Sequence, residues 1–417
     1  MKKPLARPRG ALLAAIDIGT TKTCCFIARR EAGGPRILGI GHQVARGMRA
    51  GQIVDLDAAA TSMLNAVHAA EQMAGETITE VVINLSGGFP PSRIVPIEIS
   101  VGGREIGDAE MKKVLTQGLA HREPPDRQII HSVPVGFSID GSRGIRDPRG
   151  MFGDRLGVNM HVVSASSAAV RNAVAAVGRC HLEVAGMIVS PYAAGLSALV
   201  EDEVELGATV IDMGGGTTTI AVFYDGSIVY ADTIPIGGVH VTNDVARGLS
   251  TPIAHAERMK TLFGSAIPSH ADERETITVP AVGEEDESQA SQVPKSHLIG
   301  IISPRLEETF EMVRNRLENS GFDKLAGRQV VLTGGASQLP GTRELAGMIL
   351  DKQVRVGRPM RVAGLAEATG GPAFATTVGL LHFAADERTE AQGRNPSIAG
   401  RSKGVLGRFG SWLRDNL

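Results

Sequence analysis

Two short stretches carry the same residue types at the same spacing, and both are suited to holding the phosphates of a nucleotide. In the first, an apolar run ends in Asp17 and turns through Gly19, Thr20, Thr21 and Lys22. In the second, an apolar run ends in Asp212 and turns through Gly214, Gly215, Gly216, Thr217 and Thr218. Backbone N–H groups in a glycine turn can converge on phosphate oxygens with no Cβ in the way. The threonines add hydroxyl donors and Lys22 a cation. Asp17 and Asp212, at the strand ends, can hold water bound to a Mg²⁺, which keeps several waters when it bridges phosphates. Neither stretch has the G-x-x-x-x-G-K-[ST] pattern, which sets the P-loop class aside. A third stretch, V-V-L-T followed by Gly334, Gly335, Ala336 and Ser337, ends an apolar strand in a double glycine. Backbone of that kind can lie flat against a base and ribose.

The elements that must position these turns form a pattern that occurs twice. Strands are expected at 12–17, 23–30 and 37–43, then a helix at 58–73 and a strand at 80–85 ending in Ser86-Gly87-Gly88. Strands at 208–212, 217–224 and 227–235 repeat the opening meander, the last two joined by the hairpin turn Asp225-Gly226. Two such copies indicate a duplicated lobe, with a chance likeness of two hairpins as the alternative. Residues 89–163, rich in Pro and Arg, read as a small mixed subdomain inserted into the first lobe. The acidic run 284–287 reads as a solvated surface segment. A helix is expected over 303–318, with Leu306, Phe310, Val313 and Leu317 on one stripe.

The chain has 417 residues, too many for one simple core. A net charge of −2 offers no field to attract nucleic acid. Cys24, Cys25 and Cys180 have no metal-ligand spacing and read as small buried hydrophobes in a reducing cytosol. No stretch has the roughly 20 apolar residues of a membrane-spanning helix, and no secretory signal is recognisable. His131 and His161 lie in apolar, strand-like runs and read as satisfied structural histidines.

The order D-I-G-T, D-M-G-G-G-T, L-T-G-G-A-S resembles the superfamily of actin, sugar kinases and DnaK-type chaperones. The resemblance implies an α/β fold of two actin-like lobes with a duplicated core and ATP in the cleft between them. Gly237 and Gly238 resemble its second glycine turn, and Glu257 and Lys260 its E-x-x-K helix, whose residues touch the ribose in relatives. Spaced three apart, Glu257 and Lys260 have a surface ion pair as the alternative reading.

Within that superfamily the runs R-G-M-R-A-G-Q-I-V-D from Arg46, H-S-V-P-V-G-F-S-I-D-G from His131, D-P-R-G-M from Asp147 and G-G-V-H-V-T-N-D-V-A from Gly237 resemble the FtsA family. That resemblance assigns residues 11–88 and 164–205 to the first lobe and 89–163 to the inserted small subdomain. It assigns 206–247 and 327–383 to the second lobe, and 248–326 to a second small subdomain. It implies self-association into filaments, capture of the carboxyl-terminal tail of the tubulin-like FtsZ by residues 248–326, and contacts with other division proteins. The place implied is the cytoplasmic face of the inner membrane at the division site. One departure bears on turnover: hydrolysing relatives place Glu in an E-P-x-A-A segment, where this chain has Ser190. Serine is a poor base for activating water, so hydrolysis is expected to be slow and ATP to act chiefly as a structural ligand.

The carboxyl end completes the plan. Residues 384–403 read as a flexible linker and 404–417 as an amphipathic helix. At 100° per residue, Val405, Leu406, Phe409, Trp412, Leu413 and Leu417 fall within an arc of roughly 140°. Arg408 and Arg414 lie opposite. About 21 Å of helix is too short to span a bilayer and suits the membrane interface; the alternative is docking on a protein surface. Three rivals remain: a pilus-assembly adaptor of the PilM type, which lacks the tail; a sugar-kinase-type phosphotransferase; and a chaperone, for which too little chain follows residue 383.

Overall fold

The computed structural model describes residues 10–89, 91–120, 123–283 and 290–386. The acidic run 284–287 and the linker and tail from 387 onward lie outside these residues. Among the described residues no helix is long and apolar enough to cross a membrane.

The first lobe opens with the meander β1 (Leu12–Ile18), β2 (Lys22–Glu31) and β3 (Gly34–Val44). A two-residue hairpin, β4 (Met48–Arg49) and β5 (Gln52–Ile53), leads into α1 (Leu56–Ala74) and β6 (Glu80–Leu85). Helix α1 starts where Asp55 accepts hydrogen bonds from the amides of Asp57 and Ala58, and stops at left-handed Gly75. The inserted subdomain follows as β7 (Arg93–Glu105), α2 (Asp108–Leu119), β8 (Arg127–Ile139), β9 (Ser142–Ile145) and β10 (Phe152–Ser166). The chain returns through α3 (Ser167–Arg179), β11 (Glu183–Val189), α4 (Ser190–Ala198) and α5 (Glu201–Leu206).

The second lobe repeats the meander as β12 (Ala208–Met213), β13 (Thr218–Tyr224) and β14 (Ser227–Ile234). Next come α6 (Gly238–Gly248), α7 (Ile253–Phe263), the hairpin β15 (Thr276–Val279) and β16 (Ser291–Pro294), and the long α8 (Lys295–Ser320). The lobe closes with β17 (Gln329–Thr333), α9 (Thr342–Leu350), β18 (Gln353–Val356) and α10 (Ala375–Ala385). The stripe expected on α8 is buried at Leu306, Phe310, Val313 and Leu317.

The two main sheets have one topology. Their orders are β11-β6-β1-β2-β3 and β18-β17-β12-β13-β14, each an antiparallel meander extended by two parallel strands. Both faces of each sheet are covered, which is why β1, β2, β12 and β13 are buried almost continuously and do not alternate. In the first lobe α1 and α3 cover one face and Val378, Leu380 and Leu381 of α10 the other. In the second lobe α6, α8 and α9 cover one face, and Ala194 and Ala198 of α4 cover the other.

Helix α4 therefore carries the chain from the first lobe onto the second, and α10 carries it back. They cross so closely that a Cβ on Gly379 would lie 1.7 Å from the carbonyl oxygen of Ala193. Only glycine permits that approach. The insert has its own antiparallel sheet, β7-β10-β8-β9, and its own core around Leu156, Met160 and Val114. It is tied to the edge strand of the second lobe: Ser92 donates its amide to Ala231 O at 2.8 Å, and Ala231 donates to the Ser92 hydroxyl at 2.7 Å.

Candidate functional site

Each phosphate-type turn is closed by the same bond. Gly19 donates to Lys22 O at 3.1 Å, and Gly214 donates to Thr217 O at 2.8 Å. The turns face each other across the cleft in close contact. A Cβ on Gly215 would lie 2.5 Å from the Thr21 hydroxyl, and one on Gly216 would lie 2.4 Å from the Thr20 hydroxyl. Thr20 also accepts the Gly51 amide at 3.0 Å, which ties the first turn to the β4–β5 hairpin.

Asp17 and Asp212 stand behind these turns, one per lobe. Asp17 is 6% exposed and is held by Asn84 Nδ2 at 2.8 Å and the Thr377 hydroxyl at 3.2 Å. Asp212 accepts the Thr376 hydroxyl at 2.9 Å. Adjacent threonines in the first turn of α10 thus each bond the aspartate of a different lobe. Burial pushes both carboxyls up: Asp17 above its usual range, and Asp212 to about 6, where loss of hydration is joined by the charge of Asp17. The cation beside them is Lys22, 4.0 Å from Asp17. Lys22 itself bonds Ala373 O and lies 4.1 Å over the Phe374 ring.

Two dehydrated carboxylates, incompletely neutralised and drawn from opposite walls, fit a hard divalent cation between them. Among the described residues no group of three or more His, Cys, Asp or Glu side chains could hold a metal alone. A Mg²⁺ held by Asp17 and Asp212 would therefore take water and phosphate oxygens as its remaining ligands, in keeping with its slow dehydration.

The residues expected around the nucleoside also converge. Gly238 and Val239 donate to the carbonyls of Gly214 and Gly215 at 3.0 and 2.8 Å, seating the start of α6 on the second turn. A Cβ on Gly237 would lie 2.5 Å from Gly214 O. Lys260 bonds Gly238 O at 3.2 Å and pairs with Glu257 at 2.7 Å, so the ion pair forms and its lysine points to the turn. Ala336 lies 3.3 Å from where a Gly238 Cβ would stand. Gly334 has φ +85°, and a Cβ there would meet Asp212 Oδ1 and Met213 O at 2.4 Å. At Gly335 a Cβ would meet nothing nearer than Ala373 at 3.9 Å, so a side chain there is not crowded.

Three expectations need correction. The Thr218 hydroxyl is donated to Ile236 O at 2.9 Å, tying the start of β13 to the segment after β14, and that of Ser337 to Gly334 O at 2.8 Å, closing a turn; both are buried and their protons are spent on the backbone. His131 is structural but not satisfied, because both its ring nitrogens are buried with no partner. Residues that sequence reasoning missed include Asn84, Ser86, Thr376 and Thr377. Asn84 Nδ2 also reaches Ser190 Oγ at 2.9 Å, and the hydroxyls of Ser86 and Ser190 are 2.7 Å apart. The available signal was a lone amide in the apolar strand E-V-V-I-N-L.

Comparison with known proteins is decisive. One family model, described as cell division protein FtsA, matches residues 209–379, and another, the SHS2 domain inserted in FtsA, matches residues 90–164. The cell division protein FtsA of Rhizobium meliloti is 47% identical over 99% of this chain and 97% of its own length. The chain belongs to the FtsA family. FtsA of Pseudomonas aeruginosa is 35% identical over 98% of each chain, and that of Escherichia coli K12 is 30% identical over 97% of each. Like them, this member is a cell division protein, and its fold is actin-like. A solved PilM–PilN type IV pilus biogenesis complex aligns with TM-score 0.63 over 91% of this chain and 100% of the other, at 18% identity. MreB5 of Spiroplasma citri bound to ADP aligns with TM-score 0.53 over 90% and 97%, at 13% identity. At such identities these likenesses concern the fold alone.

Proposed function

We propose that the chain is an ATP- and Mg²⁺-binding adaptor that polymerises, captures FtsZ and anchors the division ring to the inner face of the cytoplasmic membrane. The observation that carries the nucleotide part is the pair Asp17 and Asp212, one per lobe, buried behind two turns of identical bonding and held by adjacent threonines of α10. The phosphates lie against the amides of residues 20–21 and 215–217, those of Gly19 and Gly214 being used to close the turns. The nucleoside lies against Gly237, Gly238, Lys260 and Gly334–Ala336. Supporting this reading, the MreB5 structure of the same fold is described as bound to ADP. FtsZ is captured by the subdomain 248–326, and other division proteins join the assembly.

Turnover is slow. Ser190 stands where an activating carboxylate is needed, and its hydroxyl is engaged with Asn84 and Ser86. ATP acts as a ligand that biases lobe orientation.

The anchor is the segment 404–417, outside the described residues, whose sequence places Leu406, Phe409, Trp412 and Leu413 on one arc. Each large apolar side chain contributes roughly 1.5–3 kcal/mol when fully buried, reduced here by partial insertion. One helix therefore binds reversibly and a filament binds firmly through avidity. Co-sedimentation of intact and tail-deleted protein with anionic vesicles, with and without ATP–Mg²⁺, tests the reading. Trp412 is the only tryptophan in the chain, so insertion gives a blue shift of intrinsic fluorescence. Trp412→Glu is expected to release the protein. No shift, together with normal sedimentation of Trp412→Glu, would refute the anchor.

A further inference from the structure

Among the described residues seven buried side-chain polar atoms have no hydrogen-bond partner, and three belong to two imidazoles: both nitrogens of His131 and Nδ1 of His161. The two residues are diagonal neighbours on one face of the insert's sheet, since His131 pairs with Val163 and His161 with Val133. Their rings are 5.8 Å apart. Buried polar groups are almost always satisfied, and an orphan carries its full desolvation cost. Two at one junction therefore require an explanation.

The junction is where the insert meets the rest of the molecule. The ring of Tyr192, on α4, lies 5.5 Å from that of His131, and also 6.2 Å from Phe223 of β13 and 6.4 Å from Phe383 of α10. His161 Nε2 is 2.7 Å from the Ser92 hydroxyl, which accepts the Ala231 amide of the second lobe. Two residues before Tyr192, Ser190 bonds Asn84, which holds Asp17. A single turn of α4 thus joins the cleft cluster to the buried imidazoles.

We propose that this junction is a latch between the insert and α4, the helix that carries the chain from one lobe to the other. It closes while both imidazoles are neutral and the first turn of α4 is held by the cleft, and it releases the insert when either condition fails. The part concerning the cleft rests on the nucleotide reading above; the part concerning protons does not. Burial alone pushes His131 down to about 4, and burial with the neighbouring His131 puts His161 well below its usual value. Among the described residues the ring contacts of the pair are with each other and with Tyr192 of α4. Asp386, after α10, acts on Tyr192, and Asp232 of β14 is engaged by Tyr230 and Arg316. Apart from the charge of His131 acting on His161, burial is the whole cause in both.

The sign follows. Both histidines have pKa values lowered in the closed state, so closure is favoured above about 6.5 and weakens as pH falls below it. For one histidine the open-to-closed ratio rises about tenfold between about pH 7.5 and about pH 5.5.

The Ser92 and Ala231 amides cross the junction, so their hydrogen exchange, measured on the full chain by mass spectrometry and divided by that of His131→Leu at the same pH, reads opening directly. The wild-type-to-variant ratio is expected to rise about tenfold from about pH 7.5 to about pH 5.5, and His131→Gln, which cannot titrate, is expected to behave as His131→Leu does. A ratio that does not change with pH against either variant overturns the latch. At about pH 7.5, ATP–Mg²⁺ is expected to slow the same amides in wild type and not in Tyr192→Leu. Slowing at the cleft turns without slowing at Ser92 and Ala231 overturns the coupling. Slowing nowhere overturns the nucleotide reading and the coupling with it, and leaves the proton result to decide the latch.

Discussion

Replacing Asp212 by asparagine removes a charge that the ligand-free cleft holds at a cost. The carboxyl is raised from 3.8 to about 6, first by burial and then by the nearby charge of Asp17, with the Thr376 hydroxyl offsetting part of this. At about 1.4 kcal/mol per pH unit, ionisation at neutral pH costs the folded state roughly 3 kcal/mol. Because the folded pKa lies above the unfolded one, this stability is fully present below about pH 4 and is lost as pH rises through about 6. Asparagine keeps an acceptor for Thr376 and has no such loss. Without nucleotide, Asp212→Asn is expected to melt above wild type at about pH 7.5, by on the order of 5 °C, and to converge with it near pH 4. With ATP–Mg²⁺ the order reverses, because the wild type gains the ligand's linkage term and the variant does not. The assay is thermal melting across pH, with and without ATP–Mg²⁺. Parallel pH profiles for the two proteins would refute the claim that the cleft strains this carboxylate, and a retained ATP response in the variant would refute its role.

Gly335→Asp is expected to leave ligand-free stability within about 1 kcal/mol, since a Cβ there meets only Ala373 at an ordinary 3.9 Å, and to abolish the ATP-dependent melting shift. Gly334→Ala is expected to lose on the order of 3 kcal/mol or more, from its 2.4 Å approach to Asp212 Oδ1 and Met213 O, measured by urea unfolding. Gly379→Ala should part α4 from α10, with a loss of similar size, roughly 3 kcal/mol, and a lower melting temperature with or without ATP. Ser190→Ala is expected to leave single-turnover hydrolysis as slow as in wild type, below about 1 s⁻¹; a fast wild type, or a large fall in the variant, would make Ser190 a participant.

The duplicated core was legible because its signals are local: an apolar run, an aspartate and a glycine–threonine turn lie within a few residues of one another, once near residue 17 and again near residue 212. What joins the copies was not. Thr377 bonds Asp17 from 360 positions away, and Thr376 bonds Asp212 from 164. No spacing rule connects such pairs, and threonines at a helix start read as ordinary. The insert was legible as a compositional break, but its sheet was hidden because β8 is half-buried along most of its length and shows no alternation. His131 was misjudged for the same reason. An apolar neighbourhood predicts burial, and says nothing of whether a partner is waiting there.

The threonine pair on α10 has a geometric consequence. Consecutive Cα atoms are about 3.8 Å apart, and a hydrogen bond weakens steeply once its angle bends below about 120°. The pair therefore works as a gauge of fixed width set between the lobes, satisfied on both sides at one separation of Asp17 and Asp212 only. A rotation that widens this gap does not stretch the gauge; it forfeits one contact outright. Opening is then a step, and its coordinate has a threshold where a looser linkage would have a slope. A polymer of such units would change curvature in increments, each protomer counting as set or released, and its shape would record how many are in each condition.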